Sequence, residues 1–318
     1  MLDLAIVRER RRPTQEDSLT ERFEMVFLGT GSPLQSADRC GAGNVVVAGD
    51  TNVLVDCGWG AARRLMPSGV RPQSIDVALF THMHTDHMTD VPDFLFQRWT
   101  NGSTTPLRVF GPEGTQEMID GFLMALRRDI GFRLAHHGDK LHPDGIKVEV
   151  TEVPVTKAAT EFLKLGGITF ESFEVDHFPV VPAFGYRATF DGRTAVLSGD
   201  TSFCESLATA SQGADMLVCE ALNQPMMTNL IAALKAGGRE RDAGMMSDVP
   251  SYHIPTTDVA KLAKRAGVGE LVLSHLIPPL ASNTDQETVF MAGMSDIYGG
   301  PIRVARDMQR IAITKRNA

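Results

Sequence analysis

The segment Thr81-His82-Met83-His84-Thr85-Asp86-His87 places three imidazoles and a carboxylate within a few residues, directly after an apolar run at 75–80. Buried imidazoles need hydrogen-bond partners and a buried carboxylate costs more, so a core role does not explain this density. Neutral imidazole and carboxylate are the ligands of zinc and similar first-row metals. A loop leaving a strand can aim His82 and His84 at one point, and Asp86 and His87 at a neighbouring one. The segment therefore predicts a metal centre.

One loop cannot close two metal sites, so further ligands must come from distant parts of the chain. His275 follows a short apolar run at 271–273, Asp200 follows a predicted strand at 194–198, and His177 follows another at 168–175. Ligands at the ends of several strands are how α/β folds build their sites. The other histidines outside the segment are His253, in a region rich in Gly and Met, and three in a polar stretch that we expect at the surface: His136, His137 and His142.

Composition bounds the class of protein. The chain has 318 residues, 43% of them hydrophobic, which is typical of folded globular material. The net charge of -8 argues against a strongly electrostatic nucleic-acid binder. Four scattered cysteines do not make a disulfide framework. No apolar run reaches the roughly 20 residues that span a bilayer. At the N-terminus an apolar stretch precedes the basic residues, which is the reverse of the order in a secretory signal. We expect a cytoplasmic protein that makes no use of a membrane.

The pattern of elements predicts one folded domain over 23–318 after a flexible tail at 1–22. Strands begin at 23–28, and a hairpin is expected between 44–48 and 52–55, across Gly49-Asp50. Helices are predicted at 115–128, 225–236 and 256–266, and a mobile loop at 237–251. Strands and helices mix in both halves of the chain, which favours two sheets covered by helices over one doubly wound sheet.

The metal-binding segment matches a known signature. His82-Met83-His84-Thr85-Asp86-His87 has the HxHxDH pattern of the metallo-β-lactamase superfamily, and the chain resembles its ribonuclease Z-like branch over about 23–313. Within that branch it looks most similar to arylsulfatase-type members, through Gly111-Pro112-Glu113-Gly114-Thr115, the run around Arg128-Asp129 and Arg133, and Tyr252-His253. The motifs of the branch are Phe27-Leu28-Gly29-Thr30-Gly31-Ser32-Pro33, Leu54-Val55-Asp56-Cys57-Gly58, Asp176-His177, Ala183-Phe184-Gly185-Tyr186-Arg187, Ser198-Gly199-Asp200-Thr201 and Leu273-Ser274-His275.

This resemblance implies a four-layer αββα sandwich and two divalent metal ions, Zn²⁺ first, with Mn²⁺ or Fe²⁺ as alternatives. It implies that His82, His84 and His177 hold the first ion. Asp86, His87 and His275 would hold the second, and Asp200 would bridge the two. Relatives suggest a homodimer.

Catalytic roles are implied for a second group of side chains. His253 would stabilise the transition state and Glu220 would orient His253. A strand-end carboxylate at the surface is the alternative for Glu220. Asp86 could also accept a proton from the attacking water. We expect Asp56 to orient the ligand loop, since metal ligands need hydrogen-bond partners of their own.

The implied reaction is hydrolysis by a metal-activated water. Only 23 positions separate His177 from Asp200, where bacterial ribonuclease Z commonly carries a long arm that grips tRNA. We therefore expect a small sulfate ester or phosphodiester as substrate, with nucleic acid disfavoured. The Met-rich stretch 225–252 could form a lid, and Phe94, Phe96 and Trp99 are candidates for a stacking wall. The alternatives are a ribonuclease Z-type tRNA 3′-processing endonuclease, a lactonase or β-lactamase-like hydrolase, and a metal-holding protein without catalysis.

Overall fold

The computed structural model describes residues 22–316, and two seven-stranded mixed sheets form its centre. The first sheet has the order β14-β1-β2-β3-β4-β5-β6 and the second has β13-β12-β11-β10-β9-β8-β7. The strands of the first are β1 Phe23–Gly29, β2 Gly43–Ala48, β3 Thr51–Cys57, β4 Ile75–Leu79, β5 Leu107–Gly111, β6 Val148–Glu152 and β14 Arg310–Ala312. Those of the second are β7 Thr160–Leu165, β8 Ile168–Glu174, β9 Phe184–Phe190, β10 Arg193–Leu197, β11 Met216–Leu222, β12 Glu270–Ile277 and β13 Ile302–Val304.

Helices cover the outer face of each sheet. Those of the first half are α1 Ala61–Arg64, α2 Thr85–Met88, α3 Val91–Thr100 and α4 Thr115–His137. Those of the second half are α5 Glu205–Ala210, α6 Gln224–Ala236, α7 Glu240–Asp248, α8 Thr256–Ala266 and α9 Thr284–Phe290. No helix of the described residues is both long and apolar enough to span a membrane.

The side-chain alternation of β1 shows how the layers form. Phe23, Met25 and Phe27 pack into the core between the two sheets, whereas Val26 and Leu28 face the helices. Successive residues of a strand point to opposite faces, so a strand that is apolar at both sets of positions must be covered on both sides. The second sheet behaves likewise, with Val196 under the helices and Leu197 between the sheets. The predicted four-layer αββα sandwich is confirmed.

Several predicted elements are present with different bounds. The hairpin of β2 and β3 turns at Gly49, whose φ of 57° suits glycine. The helix predicted at 115–128 runs on to His137 as α4. Strand β7 was missed; it pairs with β8 across Gly166-Gly167 at the edge of the second sheet. The predicted tail lies outside the described residues apart from Arg22.

The loop prediction for 237–251 is wrong. Glu240–Asp248 forms α7, and Met246 packs with Leu222, Met227 and Ile277 in a small apolar cluster. The glycines of this stretch favour a loop locally, but burial of an apolar face against α6 outweighs that preference. The region predicted as a lid is therefore two helices and a 3₁₀ turn.

Two of the three wall candidates are also misplaced. Phe94 and Trp99 are buried between the first sheet and its helices, and the Trp99 indole donates a hydrogen bond to the carbonyl of His142. Phe96 is half-buried on the same helix, beneath the Arg133 guanidinium. Burial of Phe94 and Trp99 in the core leaves neither able to contact a substrate.

Candidate metal centre

The ligand loop begins where β4 ends, and its local conformation splits it into two pairs. His82 lies in the irregular stretch after β4, and His84, two residues later, has extended backbone. Met83, between them, packs against the apolar layer under the helices instead. At His84 the chain turns into α2, which carries Asp86 and His87 into the interior. The change from strand-like to helical backbone aims the two pairs at different points.

Three imidazoles and one carboxylate form the first cluster. His84 Nδ1 lies 3.0 Å from His82 Nε2 and 3.3 Å from His177 Nε2. Asp200 Oδ2 lies 3.9 Å from His82 Nε2 and 4.0 Å from His177 Nε2. His84 is half-buried while the others are buried, so the cluster meets solvent on the His84 side. Ligand-capable atoms of all four lie within 4.8 Å of one another.

The second cluster is fully buried and shares Asp200 with the first. Asp86 Oδ2 lies 3.2 Å from His275 Nε2 and 3.6 Å from His87 Nε2. Asp200 Oδ1 lies 3.4 Å from His87 Nε2, and its Oδ2 lies 3.2 Å from His275 Nε2. The two oxygens of Asp200 therefore reach histidines of both clusters. The structure brings together all seven side chains that the sequence suggested as ligands.

The hydrogen bonds around the clusters fix the imidazoles for metal binding. His177 Nδ1 lies 3.0 Å from the carbonyl oxygen of Tyr252, and His87 Nδ1 lies 2.8 Å from Asp56 Oδ2. Both oxygens can only accept, so each Nδ1 must donate. The Nε2 atoms of these rings then point their lone pairs into the centre, which is the usual arrangement for histidine ligands.

Unsatisfied polar atoms and charge both indicate that the centre suits a cation. His87 Nε2 and Asp200 Oδ1 are buried without a hydrogen-bond partner among the described residues. Burial lowers the pKa of His82, His84 and His177, which keeps these rings neutral. Burial also acts against protonation of His87, but Asp200, Asp56 and Asp86 outweigh it and raise that pKa. The donor set therefore fits divalent metal ions.

Asp56 supports the ligand loop from beneath. Its carboxylate accepts hydrogen bonds from the backbone and hydroxyl of Thr81, both at 2.8 Å, and from His87. Asp56 and His275 have φ values of 60° and 47°, a left-handed conformation that costs energy outside glycine and is found at functional sites. Gly58 is required by close approach, because a Cβ there would lie 1.8 Å from the carbonyl oxygen of Asp86.

His253 and Glu220 form a buried pair beside the clusters. Glu220, on β11, is 3% exposed, so the surface reading of this residue is wrong. His253 Nδ1 lies 2.9 Å from each Glu220 carboxylate oxygen, and the Thr201 backbone N–H donates to Glu220 Oε1 at 2.6 Å. The His253 ring centroid lies 5.2 Å from that of His177 and 5.7 Å from that of His275. The geometry allows His253 to act as a donor or, with Asp200 and His275, as a ligand.

The remaining histidines lie away from the centre. His136, His137 and His142 are exposed at and beyond the end of α4, as predicted. Sequence reasoning missed the Tyr252 carbonyl and the Thr81 hydroxyl. The only signal for either was its position next to a candidate residue, because backbone acceptors and hydroxyls carry no pattern of their own.

Comparison with known proteins agrees with this geometry. The profile of the β-lactamase superfamily domain matches residues 51–276. The chain belongs to the metallo-β-lactamase superfamily. The predicted resemblance is thereby confirmed, and membership makes the chain a metal-dependent hydrolase.

Relatives within the superfamily carry more specific names. The chain is 36% identical to "Ribonuclease Z" of Mycobacterium marinum over 298 residues, covering 92% of this chain and 100% of that one. It is 34% identical to the protein of the same name from Mycobacterium bovis, with coverage of 92% and 99%.

Solved structures of the superfamily share the fold. YhfI of Bacillus subtilis superposes with a TM-score of 0.67 at 19% identity, over 92% of this chain and 100% of that one. The short form of human tRNase Z gives 0.64 at 21% identity, over 92% and 99%. At these identities the superpositions support the fold alone.

Proposed function

We propose that this protein is a ribonuclease Z-type phosphodiesterase that processes the 3′ end of tRNA precursors. The observation that carries the proposal is the full-length similarity to proteins named ribonuclease Z, at 36% identity over 298 residues. The closeness of all seven candidate ligands supports the metal-dependent hydrolysis that this function requires.

This proposal ranks a tRNA precursor above a small sulfate ester or phosphodiester, whereas the sequence favoured the small ester. The absence of a long arm between His177 and Asp200 favoured a small sulfate ester. The M. marinum relative is covered along its entire length and is no longer than this chain. A chain of this length is therefore compatible with the ribonuclease Z name, and the short interval does not argue against it. The net charge of -8 does not exclude RNA either, since phosphate contacts depend on local charge. No relative described above favours a sulfate ester, a lactone or a β-lactam.

The proposed centre holds two divalent ions. His82, His84 and His177 would hold the first, Asp86, His87 and His275 the second, and Asp200 both. When bound, such ions acidify water to give a nucleophile near neutral pH and neutralise the charge that develops on phosphate. We propose Zn²⁺, because imidazole and carboxylate donors suit it. Mn²⁺ and Fe²⁺ are alternatives, separated by metal analysis of the purified protein.

The chain's own residues would handle the protons. To donate to the leaving oxygen, His253 must carry protons on both ring nitrogens. The Nδ1 proton would be held by Glu220, and the Nε2 proton would go to the leaving group. Asp86 is the proposed acceptor for the proton of the attacking water. The Thr201 backbone N–H donates a hydrogen bond to Glu220, which holds that carboxylate in place as the acceptor of the His253 Nδ1 proton.

A substrate comparison tests the proposal. Purified protein is assayed at physiological salt with a pre-tRNA carrying a 3′ trailer, nitrophenyl sulfate, bis-nitrophenyl phosphate and a lactone. We expect cleavage of the pre-tRNA at one position, lost in Asp200→Ala and retained in His137→Ala, a change at an exposed histidine. Turnover of the sulfate with intact pre-tRNA would restore the arylsulfatase reading. Light scattering on the same sample tests the predicted homodimer, and fractionation of cells tests the predicted cytoplasmic location.

A further inference from the structure

The segment directly after His177 exposes two large apolar side chains. Phe178 and Val181 are 73% and 66% exposed. Single exposed apolar residues are common in proteins. Here, however, the two lie within four positions of one another, and the residue before Phe178 is a candidate metal ligand. An apolar surface beside a polar catalytic centre is typical of substrate contact.

This segment is held firmly at both ends. The Val180 N–H donates to the carbonyl of His177 at 2.9 Å, and the Val175 N–H donates to the carbonyl of Ala183 at 2.9 Å. The Phe184 N–H donates to the carbonyl of Thr81, which begins the ligand loop. The position of the Phe178 backbone is therefore tied to the metal centre by hydrogen bonds on both sides.

A cavity lies beside Phe178 and the candidate ligand His177. Its volume is about 630 Å³, and Val181 and Lys157 also line it. This volume lies within the range of small-ligand pockets. The cavity also contains three acidic side chains: Glu174, Asp176 and Glu205. Their charge makes it a poor place for a phosphate, but it leaves an uncharged ring as a suitable occupant.

We propose that Phe178 is a stacking surface for an unpaired base next to the scissile phosphate. The proposal rests on the RNA substrate proposed above. Proteins that read single-stranded RNA stack unpaired bases on exposed aromatic rings, and every base offers an apolar face for this contact. Exocyclic amino groups of the base can donate hydrogen bonds to the acidic side chains, whereas the negatively charged phosphates are repelled by them. Phe178 thereby fixes the position of the RNA strand relative to the metal centre.

Phe178→Ala, Phe178→Trp and the control Phe132→Ala test the stacking contact. Phe132 is also exposed, at 62%, but lies on α4. The readout is kcat/KM on pre-tRNA at fixed salt. We expect Phe178→Ala to lower it roughly 5- to 150-fold, which is the loss of one base–aromatic stack. Phe178→Trp should stay within about threefold of wild type because it keeps a stacking face, and Phe132→Ala should stay within about twofold.

Substrates with one abasic nucleotide, placed on either side of the cleaved bond, separate stacking from a structural effect. At one of the two positions, the abasic substrate should be cleaved equally by wild type and Phe178→Ala. An equal loss with every substrate, or no loss with any, would overturn the stacking role while leaving the ribonuclease function standing. Failure of the wild-type protein to cleave pre-tRNA at all would overturn the proposed function, and the stacking role with it.

Discussion

His253 Nδ1 lies 2.9 Å from both carboxylate oxygens of Glu220, although the two residues are 33 positions apart in the chain. A buried carboxylate that accepts from one imidazole nitrogen fixes which way that ring faces. The pair therefore links β11 to the segment that carries His253. The role of His253 as a proton donor can be distinguished from a role as a metal ligand by measuring activity and metal content together.

His253→Ala should lower kcat about 10²- to 10³-fold, as for loss of one donor to the transition state. Metal content, measured by mass spectrometry on the same sample, should stay at the wild-type level. Parallel loss of metal and activity would identify His253 as a ligand instead.

Glu220→Gln should have a smaller effect, about tenfold on kcat, since a neutral amide oxygen is a weaker acceptor for the His253 Nδ1 proton than the charged carboxylate. The double variant with His253→Ala should be no worse than His253→Ala alone, because Glu220 acts through that ring. Additive losses would contradict this coupling.

Asp200→Ala should nearly abolish activity and reduce bound metal. Its two oxygens reach histidines of both clusters, and removing them leaves two cations without their shared anion. The matched control is Asp139→Ala, at an exposed position beyond α4. Full metal occupancy in an active Asp200→Ala protein would argue against a binuclear centre.

Asp56→Asn should weaken metal binding about 10- to 100-fold, the usual cost of losing a carboxylate that orients a ligand histidine. Like Asp, Asn tolerates the left-handed backbone. Its single amide oxygen, however, cannot accept from both the Thr81 backbone N–H and His87, which bond to different oxygens of Asp56. Competition with a chromogenic chelator measures the affinity, and unchanged affinity would refute the orienting role.

Removal of metal should lower the melting temperature. Without cations, Asp86 and Asp200 share a buried region with atoms that have no hydrogen-bond partner. An ion present at 1,000 times its Kd stabilises the folded state by about 4 kcal/mol. Thermal unfolding before and after chelation, with Zn²⁺ or Mn²⁺ added back, measures the difference. Identical melting curves would mean that the centre folds without ions.

For physical reasons, the sequence predicts the layers of the fold and the seven side chains that lie together at its centre. Strand β1 is apolar on both of its faces, so both must pack against other layers of the fold. Core packing does not explain why so many histidines and a carboxylate lie between His82 and His87. Glu220 was harder to place, because only the fold shows that it faces His253. Helix α7 was missed because local glycines favour a loop, whereas the contacts of Met246 that stabilise it join distant parts of the chain. Phe94 and Trp99 were misplaced because an aromatic helix face gives the same sequence pattern whether it packs on a sheet or contacts a substrate.

The connectivity of the two sheets sets the order in which the protein can become active during synthesis. The first half of the chain supplies His82, His84, Asp86 and His87, while His177, Asp200 and His275 come from the second half. In addition, β14 pairs with β1, so the edge of the first sheet stays open until Arg310–Ala312 leave the ribosome. A nascent chain that ends before His275 therefore carries at most six of the seven candidate ligands. The proposed centre can form only after β12, which carries His275, has joined the second sheet.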